Sequence, residues 1–199
     1  MIGIKVNTDN KYAYVTMNYR HIIEHNWLDD LKYLCEPTEY HEKRVTVRFV
    51  CDRGVSHEFV RHRVFSFAQE STRYCNYSKD KFGNEITFII PNWMDPIDVE
   101  NIPLYLTGQE YNISFGGIDF ANALSQCELC YKSMIRNGMK PQEARTVLPN
   151  SLKTELVMTG FVDDWKKFFE LRDSNKAHPQ ARELASPLHK EFIEKGLIK

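Results

Sequence analysis

The stretch RVTVRFVCD, residues 44–52, alternates between apolar and polar side chains. Val45, Val47 and Phe49 fall on one face of an extended chain, whereas Arg48 falls on the opposite face. A period of two residues is typical of a β-strand that buries one of its faces. This stretch therefore predicts a strand that packs against other elements and organises the fold.

The elements predicted around this strand mix strands and helices without strict alternation. We predict further strands at 11–17 and 85–91, and a strand or extended chain at 153–161. Helices are predicted at 20–35, from Val55 or Ser56 to about Phe67, at 120–136, from Pro141, from Asp163 or Asp164, and at 180–195. This order favours an α+β fold, with a central, mostly antiparallel sheet flanked by long helices.

Composition limits the size and the class of the protein. The chain has 199 residues, 42% of them hydrophobic, so we expect a single domain over 1–199. The net charge of −1 and the lack of a long apolar run predict neither a nucleic-acid nor a membrane partner. Five cysteines, an odd number, favour reduced thiols and a cytoplasmic location.

The segment RHRVFSFAQESTRYCNYS, residues 61–78, concentrates groups that bind anions. On a helix, Arg61 and Arg63 would point in nearly opposite directions and so serve different partners. Glu58 would lie within side-chain reach of Arg61 and of His62. The following QESTRY turn offers hydroxyls, an amide and a guanidinium, which suit phosphate and polar ring edges. The segment therefore predicts a nucleotide-sized anion site with a second site beside it.

Two motifs resemble those of the flavin-dependent thymidylate synthase family. Arg61-His62-Arg63, followed after seven residues by Ser71 and then by Arg73-Tyr74, resembles the family's RHR-x7-S signature. EARTVLPNSLKTELVMTGF (143–161) and FFELR (168–172) are similar to its Ala-Arg-x-x-Leu-Pro, Leu-x-Thr and Leu-Arg landmarks. The resemblance covers most of the chain from about Thr38 onward.

The resemblance implies a specific reaction and assembly. Members of this family make dTMP from dUMP, with methylenetetrahydrofolate as the carbon donor, FAD as the redox carrier and NADPH as the reductant. They work as homotetramers whose active sites lie where subunits meet. We therefore expect FAD as the cofactor, NADPH and methylenetetrahydrofolate as co-substrates, and dUMP, folate and further copies of this chain as partners.

The resemblance also implies the site residues, and we expect no metal. The expected FAD contacts are Thr38, Arg61, His62, Arg63 and Gln69. The expected dUMP contacts are Glu58, Arg61, Gln69, Glu70, Ser71, Arg73, Arg145 and Arg172. Arg172 corresponds to the catalytic arginine that favours ionisation of the uracil ring N–H, since a fixed guanidinium stabilises the ring anion. Ser71 is expected to bind rather than to attack.

The chain departs from the family at the far side of the flavin. Phe161-Val162-Asp163 stands where the family has Asn-x-Arg, and Lys167 aligns with a later Asn. Ala68 stands where many members have Asn, and two extra residues precede His178, which aligns with the family's His. Two interpretations follow. Either the chain belongs to a divergent subgroup that uses Lys167, backbone groups or an aromatic stack, which we favour, or its flavin affinity is weaker.

Other functions fit the sequence less well. A flavin- and folate-dependent methyltransferase acting on uridine in RNA is the alternative enzyme, but the near-neutral charge argues against it. A nucleic-acid-binding module would need a basic stripe, whereas the chain has only short basic clusters. Cys127 and Cys130 form a lone C-x-x-C on a helix, which argues against a zinc site.

Overall fold

The computed structural model describes residues 2–9, 11–77, 85–94 and 115–199. The strands are β1 (Ile2–Asn7), β2 (Tyr12–Met17), β3 (Arg44–Asp52), β4 (Ser66–Gln69) and β5 (Lys153–Phe161). The helices are α1 (Tyr19–Glu24), α2 (Arg53–Phe59), α3 (Phe115–Arg136), α4 (Pro141–Ala144), α5 (Val162–Arg172) and α6 (Pro179–Glu194). Short 3-10 helices span Leu28–Tyr33 and Arg145–Val147. No helix in the described ranges is both long and apolar enough to cross a membrane.

Strand β5 lies in the middle of a three-stranded sheet, between β3 and β4. It pairs antiparallel with β3, from Arg44 opposite Phe161 to Asp52 opposite Lys153. On its other edge it pairs antiparallel with β4. Strands β1 and β2 form a separate antiparallel hairpin. The predicted α+β class and the antiparallel strand pairing are confirmed.

The main core lies on the face of the sheet that α2, α5 and α6 cover. Leu156 and Met158 of β5 are fully buried, and so are Trp165 and Phe168 of α5. Alternate residues of β5 point to this face because side chains alternate along a strand. Each such apolar side chain contributes about 1.5–3 kcal/mol of transfer free energy on burial. Trp165 also donates its indole N–H to the backbone oxygen of Val45 at 3.2 Å.

Helix α2 starts without a loop after β3 because Asp52 caps it. The Asp52 carboxylate accepts a hydrogen bond from the backbone N–H of Val55 at 2.6 Å, which satisfies one of the free donors at a helix start. Asp52 is itself buried. The turn from β3 into α2 is thereby fixed, and with it the direction in which the end of α2 presents Glu58.

Three predicted elements are wrong in extent or type. The helix predicted to reach about Phe67 ends at Phe59, and β4 replaces its second half. Apolar residues at helical spacing misled the prediction, because Phe65 and Phe67 reach the same core through a turn and a strand paired with β5. At 85–91 a single bridge, Phe88 to Leu152, stands where a strand was predicted. Residues 20–35 form α1 and a 3-10 helix rather than one helix.

A second, smaller cluster packs beneath the turn at 71–75. Tyr77, Tyr131 of α3, Ala144 of α4 and Leu152 are its buried members, together with Ile86. Residues 141–147 follow α3 closely, since Gly138 takes the left-handed conformation (φ 88°) just beyond the end of α3. This cluster brings Arg145 next to the QESTRY segment, 73 residues away from Thr72 in sequence.

Gly160 leaves no room for a side chain, which gives a test of the packing. A Cβ atom there would overlap the ring of Phe65. We predict that Gly160→Ala lowers the free energy of unfolding by about 1–3 kcal/mol, as overpacking in a core does. Combining it with Phe65→Leu should cost less than the sum of the two single changes in urea denaturation. Wild-type stability for Gly160→Ala would contradict this packing.

Candidate active site

Arg172, the last residue of α5, binds two side chains from the end of α2 and the turn after it. Its Nη1 contacts the Glu58 carboxylate in a close ion pair, and its Nη2 donates to the backbone oxygen of Glu58 at 2.9 Å. Its Nε donates to His62 Nε2 at 3.0 Å. These contacts join residues that are 114 and 110 positions apart. Three of the five guanidinium N–H groups are thereby engaged, and within the described ranges one N–H on each terminal nitrogen has no partner.

His62 takes part in this cluster as a neutral acceptor. Burial, and to a smaller extent the neighbouring Arg172 charge, together lower the pKa of its imidazole to about 4. Its ring packs at a centroid distance of 5.1 Å from the ring of Phe168 and 6.3 Å from that of Phe65. Because Nε2 accepts from Arg172, the proton of the neutral ring is on Nδ1.

The end of α5 is anchored to α6 by the residue after Arg172. Asp173 accepts a short hydrogen bond from the hydroxyl of Ser186, and its other oxygen lies 2.7 Å from His189 Nδ1. The His189 ring stacks on Phe169 at 4.6 Å. Hydrogen bonds from Ser186 and His189 lower the pKa of the Asp173 carboxyl, against the effect of partial burial. Arg172 is therefore presented from a helix end that is held on two sides.

Arg145 contacts the turn that follows Gln69. Its Nη1 donates to the hydroxyl of Thr72 at 3.1 Å, and Thr72 is buried. The backbone oxygen of Ser71 accepts from the N–H groups of Tyr74 and Cys75, both at 3.1 Å, which closes the turn. Arg73 is exposed, with its guanidinium 5.5 Å from the centre of the Tyr74 ring. The turn therefore brings Arg145, which donates to the Thr72 hydroxyl, and the exposed Arg73 close to Ser71.

Gln69 is held on the helix-covered face of the sheet. It lies opposite Leu156 in the β4–β5 register. Its amide donates to the hydroxyl of Ser56 in α2 at 2.8 Å, and more weakly to Thr154 of β5 at 3.4 Å. These bonds tie α2 to the sheet two residues before Glu58. Among the residues that the structure describes, no donor bonds to the amide oxygen of Gln69.

Glu70 lies in a cleft of about 460 Å³ on the other side of the sheet, a size that suits a small ligand. It accepts a hydrogen bond from the hydroxyl of Tyr77 at 3.3 Å, and burial together with Glu70 raises the pKa of that phenol. Lys153 pairs with Glu155 at 3.0 Å in the same cleft. The full lining is Ala68, Gln69, Glu70, Cys75, Tyr77, Glu85, Thr87, Lys153, Glu155 and Val157.

The chemistry of the exposed arginines fits a nucleotide cofactor. Arg61 and Arg63 lie in the turn after α2 and are exposed. Within the part of the chain that the structure describes, neither guanidinium has a hydrogen bond or an ion pair. Unpaired guanidinium forks suit the phosphates of a dinucleotide. Thr38 lies in an exposed loop, where its N–H and hydroxyl each lie 2.9 Å from His41 Nδ1.

The region that departs from the family motif is built differently. Phe161 is buried beneath Gly3 and Arg44, and Asp163 pairs with Lys166 at 2.8 Å. Lys167 is exposed. Among the described residues, no group of three or more His, Cys, Asp or Glu side chains could hold a metal ion.

The structure gathers the predicted residues into separate groups. Arg172, Glu58 and His62 form one group, whereas Arg145 with the turn at 71–75 forms another. No hydrogen bond or ion pair among the residues that the structure describes connects these two groups. The sequence did not reveal Ser56 and Thr72, the partners of Gln69 and Arg145, because both stand at positions that the motif leaves open. The prediction that Glu58 reaches Arg61 by side chain is not met: its carboxylate pairs with Arg172.

Comparisons with known proteins agree with the motifs. A flavin-dependent thymidylate synthase of Pyrococcus furiosus is 28% identical over 149 residues, which cover 75% of this chain and 54% of that protein. One of Corynebacterium efficiens is 32% identical over 134 residues, covering 67% and 50% respectively. A probable flavin-dependent thymidylate synthase of Paramecium bursaria Chlorella virus 1 is 25% identical over 154 residues, covering 75% and 66%.

The chain spans about half the length of the first two of these relatives. The model of one family, described as thymidylate synthase complementing protein, matches residues 36–195. That range takes in α2, the RHR turn, the QESTRY segment, Arg145 and Arg172. Because this match covers well over half of the chain, the protein belongs to the thymidylate synthase complementing protein family.

Proposed function

We propose that this chain converts dUMP to dTMP, with methylenetetrahydrofolate as the one-carbon donor, FAD as the cofactor and NADPH as the reductant. The observation that carries this proposal is the convergence of Arg172 with Glu58 and His62. His62 belongs to the RHR motif, Glu58 lies three residues before that motif, and Arg172 belongs to the Leu-Arg landmark, 110 residues further along the chain than His62.

The proposed chemistry of Arg172 follows from the donors that remain. One N–H on each terminal nitrogen is left to bind a polar ring edge. A uracil ring that loses its N–H proton carries negative charge on its oxygens and nitrogen, and a fixed guanidinium stabilises that anion. The anion is richer in electrons at the carbon that forms the new bond. Arg172 therefore acts as the catalytic residue, and Glu58 keeps its guanidinium in place.

The remaining dUMP contacts are assigned to the turn at 71–75 and its neighbours. Arg73 is exposed and Arg145 reaches the turn through Thr72, so both can offer N–H donors to a phosphate. The hydroxyl of Ser71 and the side chains of Arg61, Gln69 and Glu70 complete the proposed set. Ser71 binds rather than attacks, because no general base lies beside it among its described hydrogen-bond partners.

FAD is assigned to the turn after α2. Arg61 and Arg63 would hold its phosphates, while Thr38, His62 and Gln69 are the other proposed contacts. When bound, the flavin supplies the redox chemistry of the reaction. Lys167 is an exposed cation in the segment that departs from the family's flavin-binding motif. Its side chain can replace part of the family's flavin contact.

We further propose a homotetramer of single-domain subunits over 1–199, located in the cytoplasm. The two groups of site residues are separate within one chain, so a second copy that brings a turn at 71–75 to Arg172 would complete the site. Cys35, Cys51, Cys127 and Cys130 carry free thiols, as suits a reducing compartment.

The proposed activity is tested by product formation. Purified protein should bind added FAD, and with dUMP, methylenetetrahydrofolate and NADPH under anaerobic conditions it should yield dTMP, measured by mass spectrometry. Leaving out any one reactant should abolish the product. A protein that takes up no FAD, or that methylates uridine in RNA but not dUMP, would overturn the proposal.

Loss of a site arginine should weaken nucleotide binding. We predict that Arg73→Ala and Arg172→Ala each lower dUMP affinity by roughly 1.5–3 kcal/mol, the cost of a lost charge-assisted hydrogen bond, in isothermal titration calorimetry. Arg136→Ala, at the exposed end of α3, is the matched control and should leave affinity unchanged. Wild-type affinity in both site variants would contradict the assignment.

Thr72 should act through Arg145. Thr72→Val keeps the shape of the side chain but removes the oxygen that Arg145 donates to. We predict that it weakens dUMP binding by about 1 kcal/mol, or roughly fivefold, whereas Thr72→Ser keeps the affinity. Equal affinities of the Val and Ser variants would show that the hydroxyl does not orient Arg145.

A further inference from the structure

We propose that His62 is a positioning residue for Arg172, which it holds by accepting a hydrogen bond at Nε2. This inference rests on the proposed function for the role of Arg172. It gives the histidine of the RHR motif a task that differs from those of the two arginines beside it. Arg61 and Arg63 face solvent, whereas His62 turns inward to the end of α5.

Of the two residues that hold Arg172, His62 is the more rigid. Glu58 has a flexible side chain, about one third exposed, that can move when a ligand enters. The His62 ring is wedged against Phe168 and Phe65, both members of the main core. Phe168 lies one helical turn before Arg172 in α5, so the ring and the guanidinium share one support. The bond at Nε therefore fixes the plane of the guanidinium even when Glu58 is displaced.

A neutral acceptor also suits the chemistry better than a second carboxylate would. The burial of His62 and the charge of Arg172 keep its ring uncharged at neutral pH. Glu58 already places one negative charge beside Arg172, and a neutral acceptor orients the guanidinium without adding a second one. More of the positive charge of Arg172 is then left for a ring anion than a second carboxylate would leave.

The inference is compatible with a ligand contact at the other ring nitrogen. Because Nε2 is the acceptor, Nδ1 carries a proton, and within the described ranges Nδ1 has no hydrogen-bond partner. A ligand oxygen could accept from it. The two roles of His62 are separable, since one depends on Nε2 and governs turnover, and the other depends on Nδ1 and governs flavin affinity.

Two amide substitutions separate these roles. His62→Gln places an amide oxygen near the position of Nε2, whereas His62→Asn places its amide near the position of Nδ1. We expect His62→Asn to lower kcat on the order of 10²-fold, as misplaced catalytic groups do, and to leave FAD affinity unchanged. His62→Gln should recover most of kcat. His57→Asn, on the exposed face of α2, is the matched control and should behave as wild type.

A double-mutant cycle tests whether the effect passes through Arg172. In an Arg172→Lys background, which lacks the Nε donor, His62→Asn should cause no further loss of kcat. Equal losses of kcat in the Gln and Asn variants would overturn the inference, as would additive losses in the cycle. A fall in FAD affinity with kcat retained would show that His62 is a flavin contact instead.

A measurement without any ligand separates this inference from the proposed function. Nitrogen-15 NMR of the protein, with the His62 signal assigned from the His62→Gln variant, should show the Nδ1–H tautomer and no protonation until about pH 4. An Nε2–H tautomer of His62 would overturn the inference even in an active enzyme. So would titration of the His62 ring at the ordinary histidine pKa of about 6.5. The predicted signal in a protein that makes no dTMP would leave the geometry intact and count against the function alone.

Discussion

Strand β5 fixes the positions of β3, β4 and α5 relative to one another. It hydrogen-bonds to a neighbouring strand along each edge and runs without a loop into α5. Its alternation sends Leu156 and Met158 into the core and Lys153 and Glu155 into the cleft. The 11 residues of α5 then extend about 16 Å along the helix axis, at about 1.5 Å per residue. Core burial of Trp165 and Phe168 fixes the rotation of that helix, so Arg172 emerges beside the end of α2.

The same sheet also fixes the position of helix α2, through its outer strands β3 and β4. It follows β3 directly through the Asp52 cap, and Gln69 at the end of β4 bonds back to Ser56 within it. The pairing of β3 and β4 with one central strand thus determines where Glu58 and the RHR turn lie. Substitutions that shift the register of β5 would move both halves of the Arg172 cluster at once, which links packing in the core to chemistry at the site.

For some strands, the sequence predicted the first and last residues correctly. The bounds of β3 follow from its clean alternation, since one face of that strand is buried. Residues 153–161, predicted as a strand or extended chain, form β5 over the same range. Strand β4 was missed because Phe65 and Phe67 lie near a helix whose apolar spacing continues into them, and only pairing with β5 makes them a strand. The family resemblance predicted Glu58, Arg145 and Arg172 as site residues, but a sequence motif carries no information about contacts across 73 to 114 residues. The roles of His62 and Thr72 therefore required the fold.

The proposed function requires this site to act on a free pyrimidine nucleotide. An anaerobic competition tests this requirement: FAD-loaded protein receives carbon-13-labelled methylenetetrahydrofolate, NADPH, dUMP and a uridine-containing RNA in one vessel. We expect the label in the methyl group of dTMP and not in the RNA. Label in the RNA, with none in dTMP, would contradict the proposed function.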